Sequence, residues 1–269
     1  MPLAAGICVV AGEIIASKSL PSISVGLMGF FIGFFISGAA MITNDYFDLE
    51  VDRINRPDRP FPSGRISSLE LAFLAGLFSV AGFSAAAFLG PVVFVIAIVM
   101  WIVSNLYNWR FKETGLFGNM MVGLCLSMLF ISGGAAVDKL ANGMVWTFAA
   151  LVFVFDLGEE IANGAMDMEG DEKRSVRSIA RIYGKKHALR ISGFLFALFV
   201  LISLLPFVMD WLGSVYLIIF IPMDLAVLHL AMKLITSNTI EDGRATVRQL
   251  YLSTMFFIIA FIALLALLG

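Results

Sequence analysis

The stretch SVGLMGFFIGFFISGAAMITNDYFDLEVD, residues 24–52, joins two kinds of sequence. Residues 24–44 carry no charge, whereas Asp45, Asp48, Glu50 and Asp52 follow within eight positions. The first part suits a helix crossing hydrocarbon, which takes about 20 residues. The second part is a carboxylate cluster at the mouth of that helix.

The rest of the chain repeats the first theme. Of 269 residues, 60% are apolar and 14% charged, and mean hydropathy is +0.94. Soluble domains hold roughly 45–50% apolar and about 25% charged residues, so the bilayer is the expected solvent. Nine apolar segments stand between polar or Pro/Gly signals, at 3–17, 24–45, 68–89, 91–109, 116–135, 143–162, 188–206, 211–233 and 249–268. Lipid leaves backbone groups unpaired unless the segment bonds to itself, so these should be helices. The expected fold is all-α and polytopic. It is a single domain over 1–269, a bundle of nine transmembrane helices around an apolar cavity, with a polar site on the cytoplasmic side.

Loop charges set the orientation. The regions after segments 2, 4, 6 and 8 hold 16 of the 18 Lys and Arg residues, leaving only Lys18 and Lys139 for the other side. The positive-inside rule then places the N-terminus and these loops in the cytoplasm of a cell membrane and the C-terminus outside. The first 17 residues lack a basic start, and Glu13 interrupts them, which argues against a secretory signal. A net charge of −2 offers nothing to nucleic acid. Cys8 and Cys125 lie in apolar segments without metal-type spacing and read as packing residues.

Twelve of 20 acids fall in two short stretches. With about 100° per residue, Asp45, Asp48 and Asp52 share one helical face at i, i+3, i+7. Asp156, Glu160, Asn163, Asp167 and Asp171 form a second stripe, which starts well inside segment 6. Facing carboxylate stripes repel unless a cation lies between them. Mg²⁺ suits them, because it takes oxygen ligands and leaves places for substrate phosphates. A diphosphate neutralised by metal is a better leaving group. Arg53, Arg56, Arg59, Arg110, Lys112, Lys173 and Arg174 are candidates for the remaining phosphate charge.

Glu50, Asp58, Glu169 and Glu172 fit ordinary interfacial positions. Intramembrane acids are costly and are functional candidates by default; Asp156 and Glu160 belong to that class. Glu13 and Asp224 suit helix–helix hydrogen bonding and a site role equally well. The segment NRPDRPFPSGR, 55–65, is stiffened by three prolines and reads as a rigid lid holding Arg56 and Arg59 over the first acids. Tyr107, Arg110 and Lys112 suit either an interfacial belt or the diphosphate site. The non-enzymatic rival is a cation transporter using the acids as a pathway. Acids gathered near one face beside basic loops fit a metal-diphosphate site better.

At these residues the chain resembles the UbiA superfamily of intramembrane prenyltransferases. NDYFDLEVD (44–52) matches that family's NDxxDxxxD motif and runs into its NRPxRPxPSG at 55–64. EIANGAMDMEGD (160–171) is similar to the second motif, with Asp167 and Asp171 as DxxxD and Glu160 and Asn163 at preceding positions. Tyr107 with Lys112 resembles the family's YxxxK, one residue longer here. The family's Arg-Pro-x-Asn before helix 1 is not found; the sequence opens Met1-Pro2-Leu3.

The resemblance implies nine helices and Mg²⁺ held by Asp45, Asp48, Asp52, Asp167 and Asp171. It implies substrate contacts from Asn44, Arg56, Arg59, Tyr107, Arg110, Lys112, Glu160, Asn163 and Lys173. The lid, TGLFGN (114–119) and DMEGD look most like the archaeal ether-lipid branch. That branch moves geranylgeranyl from geranylgeranyl diphosphate to the free hydroxyl of geranylgeranylglyceryl phosphate, a lipid-phosphate acceptor. Aromatic or chlorin-type acceptors are the alternative within the superfamily.

Overall fold

A computed structural model describes residues 1–168, 176–237 and 239–268. The described residues form helices and turns, with no strand among them. The helices are α1 (Pro2–Ser17), α2 (Ile23–Phe47), α3 (Leu49–Asn55), α4 (Ser68–Leu89), α5 (Pro91–Leu106), α6 (Leu116–Ala136) and α7 (Gly143–Met166). They continue as α8 (Ile179–Tyr183), α9 (Lys185–Ser203), α10 (Leu205–Val208), α11 (Leu217–Ile235) and α12 (Ile240–Leu268). A π turn, Tyr107–Phe111, and a 3₁₀ turn, Lys112–Thr114, separate α5 from α6.

Seven stretches are long and apolar enough to cross a membrane: Ile23–Phe47, Ser68–Leu89, Pro91–Thr114, Leu116–Ala136, Lys185–Val208, Ser214–Ile235 and Ile240–Leu268. The other two expected segments are helical but differ in kind. α1 has 16 residues, fewer than a full span takes. α7 has 24 residues but carries Asp156, Glu159 and Glu160 in its second half. The protein is a multi-pass, all-helical membrane protein. Large side chains such as Phe73, Phe88, Ile218 and Phe256 stand exposed on the helices, as lipid permits and water does not.

Helix ends follow the local sequence. Ser22 caps α2 by accepting from the Val25 N–H at 3.4 Å. Ser67 and Glu70 form a reciprocal capping box at the start of α4. Pro91 opens α5 directly after Gly90, so the two helices meet at a sharp break.

The described chain divides into two compact units. The first comprises Met1–Phe111 with Met128–Leu140. Its helices approach through small residues, as membrane helices do when hydrophobic driving force between them is lacking. A Cβ on Gly33 of α2 would strike the Ala5 carbonyl of α1, and one on Gly133 of α6 would strike the Val9 carbonyl. Glu13 on α1 is fully buried against Gly29 of α2, and neither carboxylate oxygen has a hydrogen-bond partner among the described residues. Trp101 on α5 donates to the Ser79 hydroxyl on α4 at 2.8 Å.

The second unit comprises Lys112–Ser127 and Ala141 onward. Its core is aromatic: Phe220 meets Phe257 edge-on at 4.8 Å, and Phe148 stacks on Phe261 at 5.0 Å. Serines stitch its helices. Ser192 on α9 donates to the Gly158 carbonyl of α7 at 2.7 Å, and Ser127 on α6 donates to the Ala149 carbonyl at 2.9 Å. The intramembrane Asp224 accepts from Ser203, a helix–helix hydrogen bond of the kind expected for one of its two readings. Cys8 and Cys125 are half-buried and form no disulfide among the described residues.

Candidate active site

The first acidic motif does not lie on one uninterrupted helix. α2 ends at Phe47, Asp48 caps it, and α3 begins at Leu49. The backbone pattern nevertheless runs through the joint: the Asp48 N–H bonds to the Asn44 carbonyl at 2.9 Å, and the Asp52 N–H bonds to the Asp48 carbonyl at 2.8 Å. The i, i+7 relation therefore survives. Arg59 donates to Asp45 at 3.1 Å and to Asp52 at 2.7 Å, so one guanidinium spans both carboxylates. Asn44 donates its side-chain amide to Asp48 Oδ2 at 2.8 Å. Asp52 is buried, and Asp45 is partly open.

The proline-rich loop delivers Arg59 to that position. Phe61 is buried, and its ring lies parallel to that of Tyr46, centroids 6.3 Å apart. The Ser63 N–H returns to the Arg59 carbonyl at 3.0 Å, and the Ile66 N–H to the Pro60 carbonyl at 3.2 Å. Arg65 closes the loop on the Asp58 carbonyl. The two arginines expected over the acids thus part company. Arg59 is folded onto them, whereas Arg56 caps α3 with an exposed side chain.

Tyr107 and Arg110 lie in the π turn, Tyr107 half-buried and Arg110 exposed. A π turn closes over one more residue than an α turn, which is the backbone counterpart of the longer Tyr-to-Lys spacing. Asn108 went unnoticed in the sequence. It is buried and donates to the Ala40 carbonyl at 2.9 Å and to the Thr43 hydroxyl at 3.3 Å, tying the turn to α2. An amide among aromatic residues at a helix end was the only available signal.

In the second unit α7 carries Asp156, Glu159, Glu160 and Asn163, all half-buried. Asp156 Oδ2 is shielded from solvent and has no hydrogen-bond partner among the described residues; Gly123 of α6 leaves space beside it. Asp167 follows the last residue of α7 as its C-cap, φ −111°, and is exposed. Arg244 of α12 pairs with it, a contact that spacing could not have suggested across 77 positions. Lys112 is half-buried in the 3₁₀ turn. Asp171 and Lys173 lie outside the described residues.

No three His, Cys, Asp or Glu side chains among the described residues form a ready-made metal cage. Mg²⁺ does not require one, because it commonly takes one or two carboxylates, waters and substrate phosphates. The donors here are hard oxygens. In the first unit Asp45 and Asp52 already share one cation, Arg59. That chemistry fits a divalent cation.

The UbiA prenyltransferase family profile matches residues 5–260, and the chain belongs to that family. It is therefore an integral membrane prenyltransferase. The chain is 33% identical over 261 residues to the digeranylgeranylglyceryl phosphate synthase of Methanopyrus kandleri, covering 96% of this chain and 93% of that one. It is 28% identical over 260 residues to the synthase of the same name from Thermococcus kodakarensis, covering 97% and 92%. A solved structure concerned with digeranylgeranylglyceryl phosphate synthase in membranes matches with a TM-score of 0.86 at 29% identity, over 99% of this chain and 94% of that one. A UbiA homologue from Archaeoglobus fulgidus, bound to GPP and Mg²⁺, shares the fold, with a TM-score of 0.71 at 16% identity and coverage of 98% and 96%.

Proposed function

We propose that the protein transfers a geranylgeranyl group from geranylgeranyl diphosphate to the free hydroxyl of geranylgeranylglyceryl phosphate, the digeranylgeranylglyceryl phosphate synthase reaction. The observation that carries the reading is Arg59, placed by its proline-rich loop across Asp45 and Asp52. Such a site has both signs of charge that a metal-diphosphate needs. The synthases to which the chain is similar support the acceptor.

In this reading Asp45, Asp48, Asp52, Asp167 and Asp171 would hold Mg²⁺, with Asn44 orienting Asp48. When bound, Mg²⁺ supplies positive charge against the departing diphosphate. Arg56, Arg59, Tyr107, Arg110, Lys112 and Lys173 contact phosphate or cover it, and Glu160 and Asn163 contact substrate. The bond between prenyl C1 and the diphosphate oxygen breaks. Apolar walls keep water from the allylic cation. The acceptor hydroxyl then bonds to C1 and loses its proton. No protein nucleophile is required. The proposal includes a cytoplasmic N-terminus, cytoplasmic acidic ends of α2 and α7, an external C-terminus, and membrane crossing by α1 and α7 as well as the seven apolar stretches.

Purified protein given labelled geranylgeranyl diphosphate, Mg²⁺ and geranylgeranylglyceryl phosphate should release diphosphate and form a doubly prenylated ether lipid. An aromatic acid serves as the parallel acceptor. Prenylated aromatic product alone would overturn the acceptor. Transfer to neither, in folded protein, would overturn the reading.

A further inference from the structure

Asp167 occupies an electrostatically poor position. It directly follows the last turn of α7, where the helix dipole is negative and an anion is disfavoured. Arg244, in the second turn of α12, pairs with it and supplies the compensating positive charge. The two helix ends are also pressed together beside the pair. A Cβ on Gly243 would overlap the Met166 side chain, so the residues preceding Arg244 and Asp167 are in contact. The approach is thus built into the packing of α7 and α12, yet the side chains of the pair remain 61% and 53% exposed.

A pair held close but open to solvent is weak. It can form and break without unfolding anything. We propose that Arg244 is an exchangeable counter-cation for Asp167: it holds the carboxylate while no divalent cation is bound and gives it up when one arrives. This rests on the reading of Asp167 as a metal ligand. Arg244 is a positioning residue in this role. It keeps Asp167 oriented in the metal-free protein and sets a threshold concentration for the cation.

The test uses the full chain in lipid nanodiscs. Mn²⁺ binding is followed by electron paramagnetic resonance, and arginine modification by phenylglyoxal with mass spectrometry. Arg244→Gln should tighten Mn²⁺ binding roughly two- to fivefold, the range that an exposed pair supports. Asp167→Asn should weaken it and should cancel the effect of Arg244→Gln in the double variant. In the unsubstituted protein, added Mg²⁺ should speed phenylglyoxal modification of Arg244, but not in Asp167→Asn. If Asp167→Asn leaves Mn²⁺ affinity unchanged, the metal-ligand reading fails. If it weakens binding while Arg244 modification ignores Mg²⁺, the counter-cation proposal fails even where Arg244→Gln does not fold.

Discussion

The side chain of Asn108 is bonded to the backbone of Ala40, its amide donating to that carbonyl at 2.9 Å. The two residues are 68 positions apart, and the contact fixes the π turn of Tyr107–Phe111 against the helix that carries Asp45. Ala40 lies inside α2, where its carbonyl also belongs to the helical ladder. Asn108→Ala should therefore cost little stability, about 0.5–1.5 kcal/mol. Its larger effect should be a raised KM for the prenyl diphosphate, because Tyr107 and Arg110 lose their anchor. Steady-state kinetics with a thermal melt separate the two. An unchanged KM would show that the turn does not position phosphate contacts.

Arg59 should be the most sensitive basic residue in the lid. It bridges two carboxylates and is only partly exposed. Arg59→Ala should lower kcat/KM by about 10²–10³, the cost typical of losing a charge-stabilising donor. Arg59→Lys should recover part of that, since Arg59 reaches both acids through one nitrogen, Nη1, and an ammonium supplies a point charge. The exposed Arg56 should be milder. Equal losses at both positions would mean that the lid acts by bulk charge rather than by the placement of Arg59.

Removing metal with a chelator should stop transfer, and Mg²⁺ should restore it. Asp48→Ala and Asp167→Ala should each abolish Mg²⁺-dependent product without loss of the folded protein from the membrane. Asn44→Ala should be intermediate, because it removes the amide that orients Asp48 at 2.8 Å and leaves the carboxylate itself in place. Transfer retained in both Asp variants would sink the assignment of these residues as ligands.

Ser203 and Asp224, which belong to neither acidic motif, form a stability test. The Ser203 hydroxyl lies 2.9 Å from each Asp224 oxygen, and both residues are buried. Ser203→Ala removes a donor to that carboxyl group and should cost about 1–3 kcal/mol. Replacing both, Ser203→Ala with Asp224→Leu, should cost less than the single change, since no polar group is then stranded. Thermal unfolding in detergent reads the order of the variants. The opposite order would mean that Asp224 has another essential partner.

Gly115 should not tolerate a side chain. Its φ is +69°, and a Cβ there would strike the Arg177 carbonyl. The same stretch is held from the other side, with the Arg177 N–H bonded to the Glu113 carbonyl at 3.0 Å. Gly115→Ala should lower both melting temperature and activity, whereas Gly76→Ala, which meets open space inside α4, should leave both near the original. Comparable losses at the two positions would refute the contact.

Hydropathy and charge determined much of this protein without coordinates. A chain 60% apolar has only helices or a closed barrel open to it in lipid, and its apolar runs set where the helices fall. NDYFDLEVD and the arginine-proline loop resemble the motifs of the family to which the chain belongs, and the i, i+3, i+7 relation of the carboxylates survives the joint at Asp48 because helical hydrogen bonds continue across it. Those are local properties, and local sequence is enough for them.

The tertiary structure decided what lies far apart in sequence. It separated Arg59, folded over the acids, from Arg56, turned to solvent, though both sit in one stiff loop. The difference comes from Phe61 packing on Tyr46, which periodicity cannot foresee. It brought Asn108 to Ala40 and Arg244 to Asp167. Partner choice across 68 or 77 positions depends on how helix faces pack, and packing is settled by side-chain shape, such as the missing Cβ of Gly243 beside Met166. A one-dimensional pattern carries the period of each helix but not the neighbour it turns toward.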